Sequence, residues 1–561
     1  MKKVLLYSLL ASACCLPLSS CSLEERSSTE MEKKHYMNNA DEAEDVLLGV
    51  YATNVSDAMY AYNLSILFAL GTDIAQVEGA NNENFRIIPT NSFPTTQSEV
   101  QATWAALYTG IYRANDFLER VAVKMHSFGS DDEKALATIY IAEARALRAM
   151  FYFELVRRYG NVPLITTTAQ ASQTPETYVQ ADPVEIYKQI EADLRYACDV
   201  LPYAADDTYR ANNAFRFSKG AALGLLAKVY ATWAGQPIGD SAKWELAANT
   251  ARVLIESGKH ALLPSYQTLW ENTCNSVWDP TESLIEISFY SPTGTSGSDP
   301  VGRVGKWNGV KTTAIAGIRG SCAGNVKVVH SFVLDWRAAE NSGDLRRDLS
   351  VANYLYNNDY ILYAASASDS QTDAQAKDAD ATKAQKGKQN YTPAKWDIEK
   401  YVTSGKLINN DKSNVNWYVL RYADVLLLYA EALNEWHQRP TDEAYAAVNA
   451  VRRRGFGNPA NTSACDLPAG LDTEAFRQAV RKERAYELAF EGHRRHDLIR
   501  WGVYYETIQQ TKQALASWWT TDSSDFNYVV ARFTVKGKHE LFPIPQRELD
   551  LCKQFRQNPN W

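Results

Sequence analysis

No apolar run in this sequence is long enough to cross a bilayer as a helix: the longest, residues 4–18, contains Tyr7, Ser8 and Ser12 and falls short of the roughly 20 residues required. Positive charge is not in excess either. With 58 Lys and Arg against 66 Asp and Glu the formal charge is −8, so a broad basic field for a phosphate backbone is missing and no nucleic-acid partner is expected. Cysteine is sparse: three of the eight, Cys14, Cys15 and Cys21, lie in or beside the apolar run, and the other five are scattered without CxxC spacing. Such a pattern indicates neither a disulfide scaffold nor a zinc module. The phosphate-cradling motifs GxGxxG and GxxxxGK followed by Ser or Thr, and the metalloprotease order HExxH, are missing as well. No cofactor and no metal is expected.

The N-terminus, by contrast, carries a readable signal. Lys2 and Lys3 form a positive start, residues 4–18 an apolar stretch of export length, and small residues follow. The run Leu18, Ser19, Ser20, Cys21 looks like a bacterial lipobox, in which Cys21 becomes the acylated first residue of the mature chain. Residues 1–20 are therefore expected to be a signal peptide and residues 21–37 a lipidated cysteine with a polar tether. Several acyl chains on one residue give the stable anchoring that a single chain does not.

Beyond the tether the patterning is helical. Asp182, Pro183 and Glu185 supply an N-cap, a proline at the first helical position and an acid at the capping-box position. Ile186, Ile190, Leu194, Ala197 and Leu201 then share one face. The capping-box spacing recurs at Ser98 with Gln101 and at Ser130 with Glu133, the latter helix stopped by Gly160. Two helical pairs are clearest, 218–233 with 241–257 and 420–436 with 441–454, and small residues such as Gly224, Ala227, Ala247, Ala251, Ala423, Ala430 and Ala444 fall at their contact positions. Small side chains let helices approach closely, which tetratricopeptide packing requires. The expected fold is mainly α, a tetratricopeptide-like helical-hairpin superhelix with long loop-rich insertions carrying short β segments; a plain helical bundle is the alternative. The expected divisions are a helical scaffold over 38–258, a loop-rich excursion over 259–415, scaffold again over 416–502, and a second excursion with a closing segment over 503–561.

Chemistry usually sits on such excursions. The first holds Gly-rich stretches, β-like runs such as 283–290 and a low-complexity insert, 364–390, that cannot bury a core. The chain has 14 Trp and 32 Tyr against 18 Phe, a bias toward rings with a polar tip, which can stack on a sugar face and still satisfy a hydroxyl. Trp104, Trp233, Trp244, Trp417, Trp436 and Trp501 fall on expected helices and read as core. Trp278, Tyr290 and Trp307, with Asn308 beside the last, lie in the excursion and are the ligand-binding candidates. Around Trp307 the run 302–309 has three glycines that permit a sharp turn.

Catalytic signals are weak. His493 and His496 stand at i and i+3, but the two intervening arginines would repel a cation, and structural hydrogen bonding is the expected role. Residues 320–324 imitate a nucleophile elbow with Cys322 at its centre, yet a β-like run follows where that motif needs a helix.

The segments at 142–164, 420–435, 448–455 and 481–502, with the closing 541–561 that keeps Gln557, Asn558 and Pro559, resemble the signature blocks of the SusD/RagB family in order. Their arginines and glutamates, Arg145, Arg148, Glu154, Glu483, Arg484, Glu487, Glu491 and Arg494, are too many for helices with long apolar faces unless they pair across interfaces. They read as framework. The resemblance implies a non-catalytic, lipid-anchored protein on the outer surface of Bacteroidetes that captures glycan and docks on a SusC-like TonB-dependent transporter. It also implies that a loop beginning at Asp73 and passing Asn81, Asn82 and Arg86 lies where the family carries its other ligand-bearing loop, so Asp73 and Arg86 join the candidates. A RagB-like peptide binder and a surface glycoside hydrolase are the competing functions.

Overall fold

The computed structural model describes residues 36–561 apart from 80, 214, 291–300, 339, 340, 342, 357–359, 363–390, 404–406, 458–464 and 517–527. The signal segment, Cys21 and the 364–390 insert lie outside the described residues.

A row of helices forms the frame: α1 Ala40–Tyr51, α2 Ser98–Lys124, α3 Asp131–Tyr159, α4 Pro183–Val200, α5 Lys219–Ala234, α6 Lys243–Glu256, α7 Tyr422–His437, α8 Asp442–Gly455 and α9 Thr473–Glu487. Each packs on the next, α6 on α7 included, so the superhelix runs unbroken although about 165 residues of chain separate those two helices. The expected pairs are α5 with α6 and α7 with α8. In α5 a Cβ on Gly224 would come within 2.9 Å of Leu420 and 3.0 Å of Leu284. The missing side chain is what lets two strands press onto that helix.

Capping follows local chemistry. At α3 the Ser130 hydroxyl accepts from Glu133 N and the Glu133 carboxylate from Ser130 N, both at 3.2 Å, and Gly160 ends the helix at φ 68°. At α4 the Asp182 carboxylate accepts from Val184 N at 2.8 Å, while Glu185 turns to Lys188, 2.7 Å away, instead of completing a box. The box expected at Ser98 does not form: Ser98 is already the first helical residue and its hydroxyl donates to Glu99 at 2.7 Å.

The excursions return to the frame through short antiparallel ribbons: β1 Ala75–Val77 with β3 Val326–Val328, β2 Ser283–Ile287 with β8 Trp417–Arg421, β4 Val351–Ala352 with β7 Thr392–Pro393, and β5 Tyr354–Tyr356 with β6 Tyr360–Leu362. Trp417 and Leu420 therefore belong to a strand that precedes α7, not to the helix itself. Both β2 and β8 are buried almost throughout, and a short continuous apolar run carries no period that separates strand from helix.

At the junction of these strands with α8 and α9 lies a buried ionic network. Glu487 accepts from Arg454 at 2.6 Å and from Arg421 and Arg346 at 3.1 Å; Glu282 accepts from Arg421 at 2.7 Å and Arg454 at 2.9 Å. Glu491 joins Lys395 at 2.6 Å and Arg421 at 2.7 Å. The arginines hold the Glu487 carboxyl at about 2 against the cost of its burial. Elsewhere Arg148 pairs with Asp193, and Arg484 with Asp424 and Asp497. The signature-block charges are thus framework, as expected, apart from Arg145, which lies over the Tyr196 ring at 4.2 Å. The cysteines at 198, 274, 322, 465 and 552 are buried thiols, not joined to one another in disulfides.

Candidate functional site

The site is built around Trp307. Gly302 exchanges two backbone hydrogen bonds with Ser413, at 2.9 and 2.8 Å, and Arg303 N donates to Ala61 O at 3.0 Å, which fixes the loop to two distant parts of the chain. Gly305 then turns with φ +77°, a left-handed conformation that costs glycine nothing, and its N–H donates to the Asn308 side-chain oxygen at 2.8 Å. Trp307 O accepts from Asn325 N at 3.0 Å, so the loop is bound to the start of β3.

The indole, half-buried, meets two rings edge to face: Tyr62 at 4.9 Å and 71°, and Phe85 at 4.8 Å and 86°. Both are favourable quadrupole geometries. Each flanking ring carries an arginine, Arg303 over Tyr62 at 4.8 Å and Arg86 over Phe85 at 4.3 Å. Arg303 is neutralised by Asp57 at 2.7 Å, whereas Arg86 donates its Nε–H to the Glu78 carbonyl at 2.6 Å. Among the described residues neither the Trp307 indole N–H nor the Tyr62 hydroxyl has a hydrogen-bond partner. Burial pushes the Tyr62 phenol above its ordinary range.

Trp307 and Arg86 are brought together, with Phe85 between them. The other candidates are not. Asn308 is buried and its oxygen serves the turn rather than the surface beside the ring. Asp73 gives both carboxylate oxygens to Arg494, at 2.6 and 2.9 Å, which makes it a strut of the frame. Trp278 packs at 5.5 Å against Phe215, itself 5.8 Å from Tyr51 of α1, in a different aromatic group. Tyr290 is 65% exposed at the edge of residues 291–300, which lie outside the described residues. Tyr62, Phe85 and Arg303 were not among the sequence candidates; Arg303 lay inside the Gly-rich run 302–309 and Phe85 beside Arg86, while Tyr62 carried no such signal. A separate cavity of about 370 Å³ between α2 and the closing segment is lined by Trp104, Tyr108, Tyr112, Tyr178 and Phe555 and contains none of the predicted residues.

The catalytic look-alikes are used structurally. His493 Nδ1 lies 2.8 Å from Lys228 Nζ, and burial pushes the imidazole down to about 3, so it is neutral. Burial raises the Cys322 thiol to about 11, which withholds the thiolate a nucleophile needs.

Rings with polar tips, set in loops on a rigid helical frame, are the equipment of a binding module. Known proteins agree with that class. A family model described as "SusD family" matches residues 324–561, and one described as "Starch-binding associating with outer membrane" matches residues 23–231. A solved SusD homolog from Bacteroides thetaiotaomicron is 71% identical, with TM-score 0.90 over 95% of this chain and 99% of that one. SusD-like protein P25 of Formosa agariphila is 25% identical over 94% of this chain and 93% of its own length. A solved laminarin-binding SusD-like protein, 24% identical, shares the fold at TM-score 0.67 over 94% of this chain and 100% of that one. The chain belongs to the SusD family.

Proposed function

We propose that this protein is a non-catalytic glycan-capture lipoprotein, anchored at the outer-membrane surface through Cys21, that hands oligosaccharide to a SusC-like TonB-dependent transporter. The observation that carries the reading is the half-buried Trp307 indole, packed at steep interplanar angles against Tyr62 and Phe85 with its N–H unpartnered among the described residues. A sugar ring can stack on such a face while its hydroxyls meet the indole N–H and the Tyr62 hydroxyl. Glycan-binding relatives with the same fold support the assignment.

Trp307→Ala is expected to weaken glycan binding by roughly 1–3 kcal/mol in calorimetry, as for other aromatic anchors, while melting falls by only a few degrees. Unchanged affinity for every glycan that the wild type binds would remove Trp307 from the site. Sustained release of new reducing ends from those glycans would contradict a capture role.

A further inference from the structure

Beside the aromatic group lies a cationic pole that the capture reading does not by itself require. On the β1–β3 ribbon Ala75, Val77, Val326 and Val328 are buried, and Gln76 pairs with Lys327. Side chains alternate along a strand, so Lys327 shares the opposite face with Gln76 and with Glu78, whose N–H extends the ladder to Asn325 O at 2.7 Å. Glu78 is shared between Lys311 at 3.6 Å and Lys327 at 3.7 Å, both too long for a good hydrogen bond. The Lys327 side chain is only 7% exposed, and its Nζ has no hydrogen-bond partner. Arg86 binds the Glu78 carbonyl and has no carboxylate partner among the described residues; the nearby Glu83 is exposed. Lys306 spends its ammonium on the Leu407 carbonyl at 2.9 Å.

Two cations, Lys311 and Lys327, therefore share one carboxylate, and a third, Arg86, holds the backbone carbonyl of the same Glu78, in a chain whose formal charge is −8. This excess adjoins the ring group directly, since Arg86 lies on Phe85 and Phe85 on Trp307. A buried ammonium served by one distant, shared carboxylate is under-satisfied, and an added anion would relieve that deficit. Neutral hydroxyls would do so less well, because they bring no negative charge to offset the buried ammonium. We infer that the Trp307 site selects glycans bearing an acidic substituent, a uronate carboxylate or a sulfate, placed against Arg86, Lys311 and Lys327 while a sugar ring covers the indole. This rests on the glycan-capture reading and names its substrate class.

The test measures affinities of the purified full-length protein for neutral galactan, polygalacturonate and sulfated galactan, in low and high salt. Acidic polymers are expected to bind about tenfold or more tighter than neutral ones, with the margin shrinking as salt screens the half-exposed Lys311. The uronate and sulfate arms separate the two sources of the anion. Lys311→Gln and Arg86→Gln, and Lys327→Gln if it folds, should lower the ratio of acidic to neutral affinity. Binding confined to neutral polymers, or to none, overturns the inference. So does a ratio that none of these variants moves. If Trp307→Ala weakens binding while the ratio stays at one throughout, the acidic preference fails and glycan capture stands. If Trp307→Ala changes no affinity, the underlying site fails first.

Discussion

Replacing Glu286 by Gln should stabilise the protein at pH 8 and leave it unchanged or slightly weaker at pH 5. Glu286 lies on β2, opposite Tyr418 of β8, and is 1% exposed. Its carboxylate accepts from Ser283 Oγ at 2.8 Å and Asn416 Nδ2 at 2.7 Å. No cation approaches it among the described residues, whereas Glu282, four positions earlier, has both Arg421 and Arg454. Burial dominates the two hydrogen bonds and raises the group from 4.5 to about 7. Between those values the folded chain holds a proton that the unfolded chain has released, so stability falls as pH rises. The contribution is complete below about 4.5 and lost as pH passes about 7. At about 1.4 kcal/mol per decade of proton concentration, the loss by pH 8 is somewhat over 3 kcal/mol, of which a little under 1 kcal/mol has gone by pH 5. Gln keeps the shape and one acceptor and abolishes the ionisation, at a cost of about 1 kcal/mol for re-matching hydrogen bonds. Urea unfolding of both proteins should thus show the variant gaining roughly 2–3 kcal/mol on the wild type between pH 5 and pH 8, because the hydrogen-bond cost is the same at both and cancels from that difference. A difference that does not change with pH, or one that favours the wild type more at pH 8, refutes the argument.

Arg346→Met should cost about 3–5 kcal/mol in the same assay, because Asp344, Glu483 and Glu487 would keep their charges in the interior without that partner. Asp73→Asn should lower stability by about 1–2 kcal/mol through Arg494 while leaving glycan affinity alone, and a selective loss of affinity would return Asp73 to the site. Cys21→Ala should move the protein from the membrane to the soluble fraction without altering its melting temperature, since Cys21 stands well ahead of Met37, where the expected tether already enters the core; retention in the membrane would refute the lipobox.

The frame was legible because its signals are local. Ser130 with Glu133 and Asp182 with Pro183 are decided within one turn, and the small residues of α5 and α6 announce close packing before any partner is known. The strand Trp417–Arg421 was not, since a short buried run has the same composition in either state. The site divides in the same way. Trp307 stands out in a Gly-rich loop, but Tyr62 and Phe85 join it across more than 200 residues of sequence, a contact that spacing does not encode. Asn308 looked like a sugar anchor because an amide beside a ring is one; in a tight turn the same amide satisfies its own backbone first. Asp73 was separated from Arg494 by 421 positions, so the carboxylate could be seen and its partner could not.

The two family models match residues 23–231 and 324–561, and the loop that carries Trp307 and Arg303 falls between them. Tyr62, Phe85 and Arg86 lie inside the first matched segment and β3 inside the second. The site is thus assembled where the intervening excursion is fastened back onto the matched frame, through Arg303 to Ala61 and through Trp307 to Asn325. The buried ionic network bears on this arrangement. Its members reach from Glu282 before β2 to Glu491 beyond α9 and include Arg346 and Lys395, so they tie the excursion itself to α8 and α9 without using any residue of the ring group. On the proposed reading, ligand preference rests on Trp307, Phe85, Arg86, Lys311 and Lys327, which stand outside the ionic network that ties the excursion to the superhelix.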